Sequence, residues 1–292
     1  METNDSKLSI GYSLAQQINK KHGKSYYWAT QFFPPEKRRD TYALYAFFRL
    51  ADDIVDAPDV ITSAGLSRAQ TELSIYRELW LAALKRGDCS DPVLYAAAHV
   101  CNKYKIPEAY SACFLNAMQM DLTCGRYKTY SDLQDYMEGS AASVGLMMSH
   151  VIGFSDPSAL PHLANLGNAM QLTNFLRDVE EDYHIFNRVY IPLEDLERFE
   201  LSEEDIANRR HSDSLCRLMK FEADRANALY SDAEFGIAML NTDVRLPIRI
   251  ASVLYGAILG KLRQRDWNVF TGRAKTSTFE KVVLTLRTAT RT

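Results

Sequence analysis

In Tyr45-Ala-Phe-Phe-Arg49-Leu-Ala-Asp52-Asp53-Ile-Val-Asp56, polar side chains return every third or fourth position among Ala, Phe, Leu, Ile and Val. On a helix that spacing puts Tyr45, Arg49, Asp52 and Asp56 in one stripe, with neighbouring Cβ atoms roughly 5–6 Å apart. The residues between them belong in a core. Charged groups rarely enter a core unless they are paired or hold a metal. A carboxylate pair on an otherwise apolar helix therefore predicts a site lining a cavity.

The idea repeats further along. Gln171-Leu-Thr-Asn174-Phe-Leu-Arg177-Asp178-Val-Glu-Glu-Asp182 places Gln171, Asn174, Asp178 and Asp182 on one helical face, with Arg177 beside them. Two such helices facing each other set four carboxylates across a gap. That arrangement suits divalent cations held partly by protein and partly by a phosphate-bearing ligand.

Outward from these two stretches the pattern stays helical. Residues 1–9 read as a loose tail, followed by a short amphipathic helix over 12–21. Pro34-Pro35 breaks the chain and opens a helix from about Glu36 to Val55, apolar nearly all round and hence central. Helices are predicted over 67–85, closed by Gly87-Asp88, and from Asp91-Pro92 to about Tyr104. Others run from Pro107 to Asp121 and from a Ser131 cap through His150. Pro161 opens the helix bearing the second Asp pair. Ser202-Glu-Glu-Asp205 reads as a capping box. A long helix follows over 213–240, and Pro247 opens the last one, to about Trp267. A basic tail occupies about 274–292. No strand-period run, linker or internal repeat interrupts this. The expected architecture is all-α, one domain over 1–292.

Composition narrows the function. The 34 basic and 37 acidic residues of the 292 leave a net charge of −3, which argues against a nucleic-acid partner. Five scattered cysteines without a CxxC pair read as reduced thiols, and the polar start shows no signal peptide. No apolar run reaches the ~18–20 residues of a membrane span. A cytoplasmic location follows as an expectation. EF-hand spacing, Glu-x-x-His di-iron motifs, a P-loop and GxGxxG are all missing. Four carboxylates with arginines suit a diphosphate: Mg²⁺ takes phosphate oxygens through few carboxylates, and Arg neutralises phosphate in bidentate fashion. Removing diphosphate from an organic chain leaves a carbocation, which needs a dry pocket with aromatic faces. Tyr26, Phe47, Tyr136 and Tyr255 are the candidates.

From about Ser25 to Arg273 the chain resembles the squalene and phytoene synthase family of head-to-head prenyltransferases. Three blocks carry the resemblance. The first is Ser25-Tyr26-Tyr27 with Pro34-Pro35-Glu36-Lys37-Arg38-Arg39 and Tyr42 to Asp56. The second is Tyr136-Met-Glu-Gly-Ser-Ala-Ala-Ser-Val-Gly145. The third is Leu166-Gly167 through Gln171, Asn174, Arg177, Asp178 and Asp182 to Arg188-x-Tyr190-x-Pro192. The resemblance implies an isoprenoid-synthase helical bundle around a deep central cavity. It implies that Asp52, Asp56, Asp178 and Asp182 hold two or three Mg²⁺ ions, replaceable by Mn²⁺, and that Arg49, Arg177 and Arg188 contact diphosphate. Tyr45, Tyr136, Gln171, Asn174 and Tyr255 would line the reacting centre. The family's tail often carries two Arg after Phe-Thr; here Phe270-Thr-Gly-Arg273 has one, which leaves the diphosphate role of Arg273 open.

The implied reaction joins two prenyl diphosphates 1–1′ through a cyclopropyl diphosphate, without NADPH. Squalene synthases use that reductant and usually add a C-terminal membrane helix, so squalene is disfavoured. Thr30, one turn after Tyr26, is short where C15 enzymes of the family tend to be bulky. This favours two geranylgeranyl diphosphates and phytoene. Two farnesyl diphosphates, giving dehydrosqualene or presqualene diphosphate, are the alternative. A non-catalytic assembly factor would have lost the Asp residues, and a head-to-middle cyclase would carry a different second motif. An apolar product makes peripheral contact with the inner face of the membrane an expectation. The oligomeric state stays open.

Overall fold

The computed structural model describes residues 2–87 and 89–290, with side chains from residue 5 onward. Asp88, expected to help close a helix, and Arg291, part of the expected basic tail, lie outside the described residues. Among the described residues there is no β-strand, only the isolated bridge pairs Arg126–Val189 and Phe154–Leu240.

Helix α1 (Glu2–His22) is followed by the short α2 (Lys24–Thr30). The loose tail expected over 1–9 is therefore corrected: α1 begins at Glu2 and packs along α3 and α5. Pro34 and Pro35 start α3 (Pro35–Val55), as Pro does where an N–H has no helical partner. Thr62 caps α4 (Ser63–Arg86) by accepting the Gly65 N–H at 3.1 Å, and Gly87 closes it at φ +62°. Asp91 caps α5 (Pro92–Lys103) through the N–H groups of Val93 and Leu94. Helix α6 (Glu108–Asp121) follows Pro107.

The stretch expected as one helix over 132–150 is three pieces: α7 (Tyr130–Met137), a π-helical turn (Glu138–Ala142) and α8 (Ser143–Ile152). Its cap is Thr129 and not Ser131, because Thr129 and Asp132 form the reciprocal capping box. Two glycines explain where the π-turn sits. A Cβ on Gly139 would lie 2.6 Å from the Cys113 carbonyl oxygen of α6, and one on Gly167 would lie 2.5 Å from that of Ala141. The turn is thus pinched between two backbones.

Helix α9 (Ala159–Phe186) is the longest and packs against α12, α13, α8 and the π-turn. Asn187, at φ +52°, ends it. After α10 (Leu193–Arg198) comes α11 (Glu203–Ala207), opened by the expected Ser202–Asp205 box. Helix α12 (Asp213–Ala238) precedes α13 (Thr242–Arg263). Pro247 does not open α13; it sits buried inside it. The helix starts earlier because the loop before it is anchored: Asn241 N–H donates to Gly153 and Ser155 N–H to Met239. The expected basic tail is also corrected: residues 278–289 form α14 (Thr278–Ala289), with a Ser277–Glu280 capping box, packed on α13.

One buried cluster runs from Tyr12 to Ala274 and draws on nearly every helix. Phe47 belongs to it, stacked on Trp80 at 4.0 Å. That removes Phe47 from the candidate cavity lining. On α3 the cavity stripe is Tyr45, Phe48, Arg49, Asp52 and Asp56, while Phe47 points away toward α4.

Candidate active site

A cavity of about 750 Å³ opens between α3, α6, the π-turn with α8, α9 and α13. Every site residue singled out above lines it except Phe47 and Thr30. Thr30 is fully buried elsewhere, its hydroxyl donating to the Tyr27 carbonyl at 2.8 Å. Its side chain neither lines nor narrows the cavity, so the chain-length argument built on it is withdrawn.

Within each Asp pair one carboxylate is met by guanidinium and the other is not. Arg188, itself buried, donates to Asp56 at 2.7 Å and to the Val55 carbonyl at 2.8 Å. Arg177 forks onto Asp178 at 2.8 and 2.5 Å, and Arg273 reaches the same carboxylate at 2.9 Å. Arg273 therefore joins the site despite the missing second arginine. Arg49 pairs with Asp53 on the outer edge of the stripe. Asp52 and Asp182 receive no ion pair or hydrogen bond from a side chain among the described residues. Burial, then the charge of Asp56, pushes the Asp52 carboxyl well above the usual range. Burial, then Asp178 and Asp56, does the same to Asp182. Crowded acids held against like charge are poised to accept a cation.

The cavity wall beyond the acids is aromatic. Tyr26 stacks on Tyr45 with centroids 5.7 Å apart and donates its hydroxyl to the Met148 sulfur at 3.3 Å. Tyr190 stacks on Phe175 at 4.1 Å and on Tyr136 at 5.6 Å. Burial raises the Tyr26, Tyr45, Tyr136 and Tyr255 hydroxyls above the ordinary tyrosine value, which keeps them neutral. Gln171 and Asn174 face the cavity one turn apart, 3.4 Å from each other.

Sequence reasoning missed Asp121. It is buried at the end of α6, lines the cavity, and accepts the Tyr136 and Tyr190 hydroxyls, each at 2.8 Å. Burial pushes its carboxyl up to about 6, against the pull of Arg188 and the two tyrosines. It stands alone in sequence, with no second acid at helical spacing, so periodicity gave no signal. Lys275 and Lys281 were read only as a basic tail, yet both line the cavity rim beside Lys24.

No group of three His, Cys, Asp or Glu side chains among the described residues is close enough to hold a metal by itself. The two pairs face each other across open space, so any ion would need further oxygens from a ligand. Carboxylates and guanidinium groups at one end of an apolar, aromatic cavity are equipment for drawing diphosphate from an isoprenoid chain.

The comparisons agree with that class. The sequence profile of the squalene/phytoene synthase family matches residues 19–280. A 15-cis-phytoene synthase of Synechocystis sp. is 35% identical over 284 residues, covering 93% of this chain and 82% of its own. A phytoene synthase of Arthrospira platensis is 32% identical, covering 94% and 91%. Among solved structures, a dehydrosqualene synthase in complex with ligand superposes with a TM-score of 0.89 at 28% identity, over 99% of this chain and 98% of that one. The protein is thus an all-α prenyltransferase. It belongs to the squalene/phytoene synthase family.

Proposed function

We propose that the protein condenses two geranylgeranyl diphosphates head to head into phytoene, through a cyclopropyl diphosphate. The observation that carries this reading is the pairing of the α3 and α9 acids, two of them uncompensated, with an aromatic apolar cavity. The C20 substrate is taken from the relatives named phytoene synthase; Thr30 contributes nothing to it.

Asp52, Asp56, Asp178 and Asp182 would hold two or three Mg²⁺ ions; their donor set is all oxygen, as Mg²⁺ requires. Bound there, the ions supply Lewis-acid charge for the departing diphosphate. Arg177, Arg188 and Arg273 lie where a diphosphate oxygen could replace their present carboxylate partners. Arg49 sits one turn before Asp52 and adds a cation to the same stripe. The allyl cation left behind rests among the faces of Tyr26, Tyr45, Tyr136 and Tyr255. It alkylates the double bond of the second substrate, and loss of a proton closes the cyclopropane. Ionisation of that diphosphate, ring opening to the 1–1′ linkage and loss of a second proton give the central double bond without a reductant. Gln171 and Asn174 orient the substrates, and Asp121 fixes the hydroxyls of Tyr136 and Tyr190.

The likeness to a dehydrosqualene synthase favours a second reading, in which two farnesyl diphosphates give a C30 product. Diphosphate release with Mg²⁺, measured separately on the two substrates, tests the choice. The first reading expects a higher kcat/KM on geranylgeranyl diphosphate; preference for farnesyl diphosphate replaces it with the second.

A further inference from the structure

Arg188 reaches Asp56 of α3 from a turn that a second arginine holds in place. The chain leaves α9 at Asn187, whose φ of +52° lies in the left-handed region, which Asn tolerates but does not favour. Directly after it the Arg188 N–H donates to the Asp182 carbonyl at 2.9 Å, while the Arg188 guanidinium crosses to Asp56 and the Val55 carbonyl. The hold on this turn comes from the segment between α6 and α7. Arg126 Nη1 donates to the Asn187 carbonyl, and Nη2 donates to the Asn187 side-chain Oδ1 at 2.9 Å. Nε donates to Glu203 of α11 at 2.8 Å, and Nη1 also donates to the Gly125 carbonyl at 3.0 Å. The backbone runs along the same seam. Val189 N–H donates to the Gly125 carbonyl at 2.8 Å, Leu193 N–H to that of Tyr127 at 2.9 Å and Glu194 N–H to that of Lys128 at 3.0 Å. Arg126 itself does not line the cavity. Its planar fork meets oxygens of Gly125, Asn187 and Glu203 at once, which the compact ammonium of a lysine cannot do.

We propose that Arg126 is a positioning residue for diphosphate binding: by holding the Asn187 peptide it sets the direction from which Arg188 enters the site. The Asn187 carbonyl belongs to the planar peptide that carries the Arg188 nitrogen. A bond to that oxygen therefore fixes the plane from which the Arg188 side chain departs. A guanidinium meets phosphate oxygens through a directional pair of hydrogen bonds, so a small displacement of its root is costly. That Arg188 meets diphosphate rests on the function proposed above; the hold of Arg126 on the turn does not.

A double-mutant cycle on the full chain tests this, with inorganic diphosphate and Mg²⁺ as the probe and titration calorimetry as the readout. Arg126→Met should weaken diphosphate binding about tenfold, and Arg188→Met about a hundredfold. In the Arg188→Met background, Arg126→Met should change the affinity by no more than about twofold, because the group it positions is already gone. A merely structural role would carry the tenfold loss into both backgrounds, and that result overturns the proposal. Where Arg126→Met does not fold, Arg126→Lys completes the same cycle. It should cost about fivefold with Arg188 present and no more than about twofold without it. Unchanged affinity in the Arg126 variants also overturns the proposal. A folded, unaltered chain that takes up no diphosphate with Mg²⁺ removes the proposed function and the positioning role together. Intact binding with an additive cycle removes the positioning role alone.

Discussion

Asp52 and Asp182 lack the guanidinium partners that Asp56 and Asp178 possess, and the difference has a thermodynamic consequence. Their folded carboxyls bind protons more tightly than the unfolded chain does. Stability therefore falls as pH rises from the unfolded carboxylate range toward neutrality. Asp121, raised to about 6, adds up to about 3 kcal/mol of the same sign by neutral pH. Asp52→Asn should then lower turnover roughly a thousandfold. It should also raise the unfolding midpoint of the metal-free protein at pH 7.5 by roughly 2–4 °C, with no gain near pH 4. Thermal scans at the two pH values check this; a midpoint lowered at pH 7.5 counts against the account. Tyr136→Phe takes one of the two tyrosine donors from Asp121 and should cost about 1–3 kcal/mol in urea unfolding. At this scale the four paired acids, Arg49 and Arg177 were legible because helical spacing displays them in sequence, whereas Arg188 and Arg273 lie outside the helices and came only from the family resemblance. Asp121 was not, since its partners Tyr136 and Tyr190 are 15 and 69 residues away and meet it only in the folded chain. Thr30 failed for a different reason: spacing put it one turn from Tyr26, but its side chain is buried away from the cavity, with its hydroxyl on the Tyr27 carbonyl.

Helix starts were readable where a capping side chain and a proline coincide, as at Asp91-Pro92, and at the Ser202–Asp205 capping box, whereas the equally complete boxes at Thr129–Asp132 and Ser277–Glu280 were missed. They were misread where tertiary anchoring overrides the local signal, as at Pro247, which the chain absorbs inside α13. The π-turn at 138–142 left no periodicity to find, because it arises from close backbone contact at Gly139 and Gly167. π-turns inside helices often mark functional sites, and this one contributes Ser140 and Ala141 to the cavity wall. Gly167→Ala should drive a methyl against the Ala141 carbonyl, destabilise the fold by about 1–3 kcal/mol and slow turnover through the displaced wall. Denaturant midpoints and rates, measured together, test it; an unchanged pair would show that the turn yields freely.

At the scale of the molecule, α3 and α9 are separated by more than a hundred residues of chain, yet their acids face one cavity. Two facing pairs without a ready-made three-ligand group predict coupled binding. Mg²⁺ alone should shift the unfolding midpoint little. Mg²⁺ with inorganic diphosphate should add roughly 2.7 kcal/mol at a hundredfold excess over Kd. An equal shift from Mg²⁺ alone would mean that the acids need no ligand to hold the ion. The all-α class was readable from the absence of strand periodicity, whereas the inward polar face of α14 was hidden in what looked like a basic tail.

The most direct test of the whole account is product identity. Purified protein with Mg²⁺ and no NADPH would be offered geranylgeranyl and farnesyl diphosphate separately, and the extracts analysed by mass spectrometry. The account predicts a C40 hydrocarbon from the first, made at a far lower rate or not at all by Asp52→Asn. A C30 product from farnesyl diphosphate alone would contradict the C20 assignment, and no product from either substrate would contradict the prenyl-coupling chemistry itself.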